Sequence, residues 1–184
     1  NTSFWSKNFI QTANIDATVT KFWDDADDAG GVSGDRYNDA NDATSTGSSE
    51  GFLPIGANRY KTTTNFTGEY DGGGYSISGL TINRPNEEYV GLFGATYTGV
   101  TIKNLSLTNV NITGSKNVGS LAGYSNATTI DNCSASGYVV SNNKRTVGGL
   151  IGYFWCCDIR NSYSTASVDG GSGLFVGGLV GYLG

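Results

Sequence analysis

From Gly68 onward, apolar residues alternate with small polar ones, and the alternation returns at a nearly fixed interval. In Val100-Thr101-Ile102-Lys103-Asn104-Leu105-Ser106-Leu107 the apolar positions are separated by Thr, Lys, Asn and Ser. Thr129-Ile130-Asp131-Asn132-Cys133-Ser134 and Asp158-Ile159-Arg160-Asn161-Ser162-Tyr163 repeat the arrangement. This pattern suits short strands that bury one face. No segment after Gly68 places apolar residues at i, i+3, i+4 and i+7 over a helical length. Glycine-rich strings separate the alternating runs. They read Val118-Gly119-Ser120-Leu121-Ala122-Gly123-Tyr124, Val147-Gly148-Gly149-Leu150-Ile151-Gly152-Tyr153 and Val176-Gly177-Gly178-Leu179-Val180-Gly181-Tyr182, each step being 29 residues. A shorter counterpart, Gly91-Leu92-Phe93-Gly94, lies one step earlier.

Both halves of the repeat keep step, because Asn104, Asn132 and Asn161 are 28 and 29 residues apart. A period of this size describes a supersecondary unit that closes its core only by stacking on its neighbours. The predicted fold is therefore all-β: a right-handed parallel β-solenoid with coils of about 29 residues, stacked at roughly 4.8 Å. Identical residues then form columns along the axis. An Asn column fits the corners, where Asn adopts left-handed backbone angles and bonds its amide to the next coil. Residues 1–184 are expected to make one domain, with residues 90–184 carrying the regular repeats.

The strings Gly91-Leu92-Phe93-Gly94, Gly149-Leu150-Ile151-Gly152 and Gly178-Leu179-Val180-Gly181 resemble the GLUG motif, and Ser120-Leu121-Ala122-Gly123 is a variant with Ser first. Phe66-Thr67-Gly68-Glu69-Tyr70-Asp71-Gly72-Gly73-Gly74-Tyr75 through Ile82 is similar to the segment that commonly precedes such repeats. Phe9-Ile10-Gln11-Thr12 through Asp16, and Phe52-Leu53-Pro54-Ile55-Gly56, resemble further parts of that lead-in. The resemblance implies a module of large bacterial surface proteins, including adhesins and the non-catalytic regions of IgA-type peptidases. It does not imply one ligand. The string stops at Gly184 directly after the last motif, so an open coil end is expected that continues in a longer surface protein or docks on another subunit.

Charge narrows the partners. A net charge of −5 and no clustered Lys or Arg argue against nucleic acid. No apolar run approaches the 18 to 20 residues of a membrane span. Half of the 16 acidic residues fall in residues 24–50, an acidic insertion that breaks the repeat. Asp24, Asp25, Asp27, Asp28, Asp35 and Asp39 are candidate Ca²⁺ ligands, since that ion takes six to eight oxygens; no EF-hand spacing is present, and a solvated acidic loop is the plainer alternative.

Catalytic chemistry has little to work with. The absence of His removes the usual triads and His-based zinc sites. A polysaccharide-active β-helix enzyme would need two carboxylates facing one groove, and Asp131 and Asp158 are the candidates. Asp131, aligned with Arg160, reads more simply as half of a cross-coil ion pair. Glu69 and Asp71 belong to the lead-in and read as structural. Cys133 falls in a column with Ser162 and reads as a small buried residue; a disulfide from it to Cys156 or Cys157 stays open in an oxidising compartment. An ice-binding surface would need a coil-spaced Thr array, whereas Thr62-Thr63-Thr64 is a run.

Tyr124, Tyr153 and Tyr182 form an aromatic column at 29-residue steps. Facing outward it would stack on sugar rings; facing inward it would be a stabilising corner stack. Of six Asn-x-Ser/Thr triplets, those at Asn1, Asn65, Asn111 and Asn126 are candidate glycosylation sites, and those at Asn104 and Asn132 lie in the Asn column. The expected function is an extracellular, non-catalytic adhesive or architectural module of a prokaryotic surface protein. Its expected partners are surface glycans, a neighbouring repeat, or a second subunit stacked end to end into a fibre.

Overall fold

A computed structural model describes residues 5–23, 50–56, 65–142, 145–156 and 158–184. The alternating runs and the glycine strings become the three faces of a β-solenoid in which, among the described residues, the strands pair in parallel, with one isolated antiparallel bridge between Gly51 and Ile82. The first face is the broadest. It begins with Glu69–Asp71, Ser76–Ser78 and Thr81–Asn83, fuses into Thr101–Gly114 and Thr129–Ser141, and divides again into Asp158–Arg160, Tyr163–Ser164 and Ser167–Asp169. Glu88–Val90, Lys116–Gly119, Thr146–Gly148 and Phe175–Gly177 make the second face. Phe93–Thr96, Ala122–Asn126, Ile151–Trp155 and Val180–Leu183 make the third. Ahead of them, Phe9–Ile10 and Ile15–Asp16 pair with the first face, and a 3-10 turn covers Thr18–Phe22.

The register follows the repeat. Ile102, Ile130 and Ile159 are aligned on the first face, Val118, Val147 and Val176 on the second, and Tyr124, Tyr153 and Tyr182 on the third. Inward columns fill the core: Ile102, Ile130, Val118, Val147, Leu121, Leu150 and Ile151 are buried. The one-residue differences in step are absorbed locally. Between Ala135 and Gly137 the first face carries a bulge against Thr101–Gly114.

The GLUG-like string has a physical reading in this cross-section. Its Leu anchors the core, with Leu92, Leu121 and Leu150 all buried. Its last glycine lets the third face lie directly on the second, since a Cβ on Gly152 would stand 2.5 Å from the Val118 nitrogen and 2.7 Å from the Gly123 oxygen. Its first position faces the following coil. There the Ser120 hydroxyl donates to the Gly149 carbonyl at 2.6 Å, while a Cβ on Gly149 would stand 2.1 Å from the Gly178 oxygen.

The Asn column sits at a corner of the first face. Asn104, Asn132 and Asn161 have φ of 54°, 50° and 49°, the left-handed region that Asn tolerates. Asn132 Nδ2 donates to Asn104 Oδ1 at 2.9 Å, and Asn104 Nδ2 donates to Asp71 Oδ1 at 3.0 Å. Asn161 Nδ2 instead donates to Asp131 Oδ1 at 2.9 Å. Further up the stack, the buried Arg84 guanidinium pairs with Glu50 at 3.1 Å and Glu87 at 2.8 Å, which ties the end of the acidic insertion to the first regular coil.

Candidate functional site

Where the second and third faces meet, the aligned strands leave an axial cleft of about 480 Å³. Tyr124, Tyr153 and Tyr182 form one bank, and Tyr89, Asn117, Thr146 and Phe175 the other. Glu88, Lys116 and Arg145 also line it. Each bank exists because coil-to-coil register places equivalent positions above one another. The Tyr column follows the last glycine of each motif; the other column precedes each motif's Val.

The tyrosine rings use their faces on each other. Tyr124 and Tyr153 stack with centroids 5.3 Å apart and planes 18° from parallel; Tyr153 and Tyr182 stack at 4.7 Å and 21°. Tyr89 meets Tyr124 edge-on at 5.9 Å, and Phe175 meets Tyr182 edge-on at 4.9 Å. Tyr124 is buried, whereas Tyr153 and Tyr182 are partly exposed. What the column presents to the cleft is therefore ring edge and phenol hydroxyl rather than the broad faces on which a sugar would lie.

The polar lining is largely paired. Lys116 bonds Glu88 one coil earlier, and that contact holds the Glu88 carboxyl below its ordinary range, with burial opposing. The Thr146 hydroxyl donates to Asn117 Oδ1 across one coil step. A second charged cluster lies on the first face, where Lys103 contacts Glu69 and Asp71. Asp71 is held below its ordinary range by the Asn104 amide first, and then by the Gly73 backbone N–H and Lys103. Lys103 is correspondingly raised, chiefly by its bond to Glu69.

The carboxylates Asp131 and Asp158 lie on adjacent strands of the first face, two residues out of register. They stand in register with Arg160 and Thr129 respectively, as the alignment predicts. The expected Asp131–Arg160 ion pair is replaced: the Arg160 guanidinium bonds Asp158 of its own strand at 2.9 Å, and Asp131 accepts from Asn161. Asp131 is thus bonded across one coil step and Asp158 within its own strand. Among the described residues no group of three or more metal-ligating side chains occurs. Asp24, Asp25, Asp27, Asp28, Asp35 and Asp39 lie outside the described residues, as do Asn1, Cys157 and Thr62-Thr63-Thr64.

Cys133 is a buried free thiol whose pKa burial pushes up to about 11, and Cys156 is free and exposed. Of the sequons, Asn111 is exposed, Asn126 half-buried and Asn65 buried. The second bank of the cleft is not visible as a column in the sequence because Tyr89, Asn117, Thr146 and Phe175 mix aromatic and polar side chains. The available signal was positional: each stands immediately before the Val of a glycine string.

Parallel three-faced coils, Gly-Leu turns and a ladder of stacked tyrosines define a β-solenoid repeat module. Residues 114–141 match the family described as the GLUG motif. Two relatives align with longer stretches. Halomucin of Haloquadratum walsbyi is 43% identical over 94 residues, which is 51% of this chain and 1% of that protein. A protein named as a Gly-rich membrane protein of Evansella cellulosilytica is 43% identical over 63 residues, 34% of this chain and 7% of that protein. The chain thus spans a small fraction of the curated relatives it matches. No solved structure matches the chain.

Proposed function

We propose that the chain is an architectural module of an extracellular prokaryotic surface protein: a stiff, non-catalytic stretch of solenoid that sets distance and presents its flanks. The observation that carries this reading is the continuity of the columns. Core, Asn and Tyr ladders run from coil to coil, so each coil is held by backbone pairing and packing on its neighbours. The GLUG match and the far longer relatives support it. The engagement of Asp131 by Asn161 and of Asp158 by Arg160 supports a non-catalytic role.

Pulling the chain from both ends in a force spectrometer tests the spacer. Coil-by-coil release should give steps of about 100 Å, from the 29-residue period and the reach of an extended chain. A single low-force rupture of the whole chain would reject a stiff spacer. Incubation with a panel of acidic and neutral polysaccharides should give no new reducing ends and no unsaturated products; turnover would make the chain an enzyme.

A second reading, adhesion to surface glycans, is favoured by the 480 Å³ cleft itself, with its phenol, amide, hydroxyl and cationic lining. The recognition there would be by hydrogen bonds from phenol hydroxyls and by Arg145, not by ring stacking. A glycan array read with the parent chain and with Tyr153→Ala and Arg145→Gln variants tests it. Binding that both substitutions weaken supports adhesion, and an array without any bound glycan rejects it.

A further inference from the structure

Beside the Asn corner of the first face runs an axial groove of about 150 Å³. It is lined by Asn104, Asn132 and Asn161, and by the column two residues further on, Ser106, Ser134 and Tyr163. Register builds that second column, since Ser76, Ser106, Ser134 and Tyr163 are successive strand partners. Alternation turns it outward: Leu105, Leu107, Cys133 and Ala135 on either side of it are buried. The groove therefore opens sideways along the flank, and a coil before or after the chain would lengthen it without covering it.

The amides of this groove do not simply bond one another. Asn132 donates to Asn104 of the coil before it at 2.9 Å, as in a plain ladder. Asn104 and Asn161 turn aside to the carboxylates of Asp71 and Asp131, at 3.0 and 2.9 Å. The residue one place earlier in the preceding coil decides the choice. It is Asp71 or Asp131 in these two cases; for Asn132 it is Lys103, which has no acceptor to offer. In consequence the Oδ1 atoms of Asn132 and Asn161 receive no donor among the described residues, and both side chains are exposed in the groove. Ser106 and Ser134 share one hydrogen bond of 2.9 Å, which leaves one hydroxyl proton to donate outward. Tyr163 follows them where the column changes from Ser to an aromatic. Its ring is 62% exposed and makes no ring contact among the described residues.

We infer that this groove is a binding site for a neutral, hydroxyl-rich glycan chain lying along the solenoid axis. Among the described residues, the side chains that line it carry no charge, and the nearby Asp71 and Asp131 are engaged by Asn amides. A net charge of −5 disfavours an acidic chain at such a surface. Sugar hydroxyls find acceptors in the two amide oxygens and a donor in the Ser pair, and the Tyr163 ring offers a surface for the C–H side of a pyranose. Equivalent amides recur at about 4.8 Å, close to the rise of one sugar in an extended β-1,4-linked chain, so successive coils meet successive sugars. The site is separate from the tyrosine cleft, whose lining includes Lys116 and Arg145, and it does not depend on the spacer reading.

Calorimetric titration of the full chain with cellohexaose and chitohexaose, and with hexagalacturonate as an acidic probe, tests the site. A neutral hexasaccharide should bind, the acidic one should bind more weakly, and amide resonances should move at residues 104–106, 132–134 and 161–163. Tyr163→Ser installs the residue that Ser76, Ser106 and Ser134 supply in the same column, so the fold is kept. It should weaken neutral-glycan binding by about tenfold, and Asn132→Asp, which puts a carboxylate into the neutral lining, by about as much. Absence of binding by both neutral probes would overturn the inference. So would neutral binding that Tyr153→Ala or Arg145→Gln weakens while Tyr163→Ser does not, because the sugar would then lie in the cleft. Binding of the acidic probe alone, lost in Arg145→Gln, would leave the cleft reading standing and remove this one. A glycan carried covalently on Asn104 or Asn132, seen as added intact mass, would fill the groove with the chain's own sugar and overturn a site for a separate chain.

Discussion

Leu150→Ala is the sharpest single perturbation of the stack. Leu150 is the core leucine of its glycine turn and is 0% exposed. Leu121 lies in the coil before it and Leu179 in the coil after it, each joined to it through a backbone hydrogen bond at 2.9 Å. Those ladders hold the coil spacing, so the neighbours cannot collapse into the space left by the lost side chain. A Leu→Ala change at a rigid buried site costs about 3–5 kcal/mol, the upper part of the usual range, because the cavity contribution adds to the transfer contribution. Leu179→Ala makes the same chemical change in the last described coil, where the side chain is only partly buried and one side is open. Less apolar area is lost and little cavity forms, so about 1–2 kcal/mol is expected. Equilibrium urea unfolding, followed by far-ultraviolet circular dichroism and by tryptophan fluorescence, gives both values from the midpoint shift at unchanged slope. Equal costs at the two positions, or a Leu150→Ala cost below about 1 kcal/mol, would refute the reasoning that burial in this fold is set by the next coil.

Three further outcomes follow from particular side chains. Gly152→Val should destabilise by about 3 kcal/mol or more, because the added Cβ would stand 2.5 Å from the Val118 nitrogen and the facing atoms are backbone; the measurement is soluble yield together with thermal midpoint. Titration with a thiol reagent at pH 8 should modify Cys156 quickly and Cys133 only on unfolding, since Cys133 is buried with its pKa near 11; fast modification of folded Cys133 would contradict its place in the core. Acid should weaken the fold through Asp71 and Glu88. Both are held below their ordinary values of 3.8 and 4.5, so their contribution is complete above those values and is lost as the pH falls through the lower folded ones. Melting temperatures from pH 7 to pH 3 should therefore drop at the acid end, and an Asp71→Asn, Glu88→Gln double variant should show a flatter profile.

The regular half of the molecule was legible because the fold writes itself into the chain as columns. Identical spacing of Ile130 and Ile159, of Val147 and Val176, and of Tyr153 and Tyr182 leaves one parallel register, and that register is the one observed. The left-handed Asn corners were legible for the same reason, Asn being the residue that accepts such angles and also bonds along the axis. Local choices between equal partners were not. Asp131 and Arg160 stand side by side as expected, yet Asn161 of the following coil bonds Asp131, and Asp158 of its own strand bonds Arg160. Whether the Tyr column lines a cleft depends on how closely glycine backbones let the second and third faces approach. That is a property of three dimensions, and the string records only that the glycines are there. The second bank of the cleft was hidden because its four members have different side chains at one shared position.

Cross-coil disulfide trapping tests the parallel stack most directly. Ser106 and Ser134 are register partners on the first face, with hydroxyl oxygens 2.9 Å apart. In a chain whose native cysteines are replaced by Ala or Ser, a Ser106→Cys, Ser134→Cys pair should close under mild oxidation in the folded state, since neighbouring strands about 4.8 Å apart suit a disulfide. A Ser106→Cys, Ser136→Cys pair, one pleat out of register, should stay open. Rapid closure of the first pair alone is the result the solenoid predicts; closure of the second pair, or of neither, would contradict it.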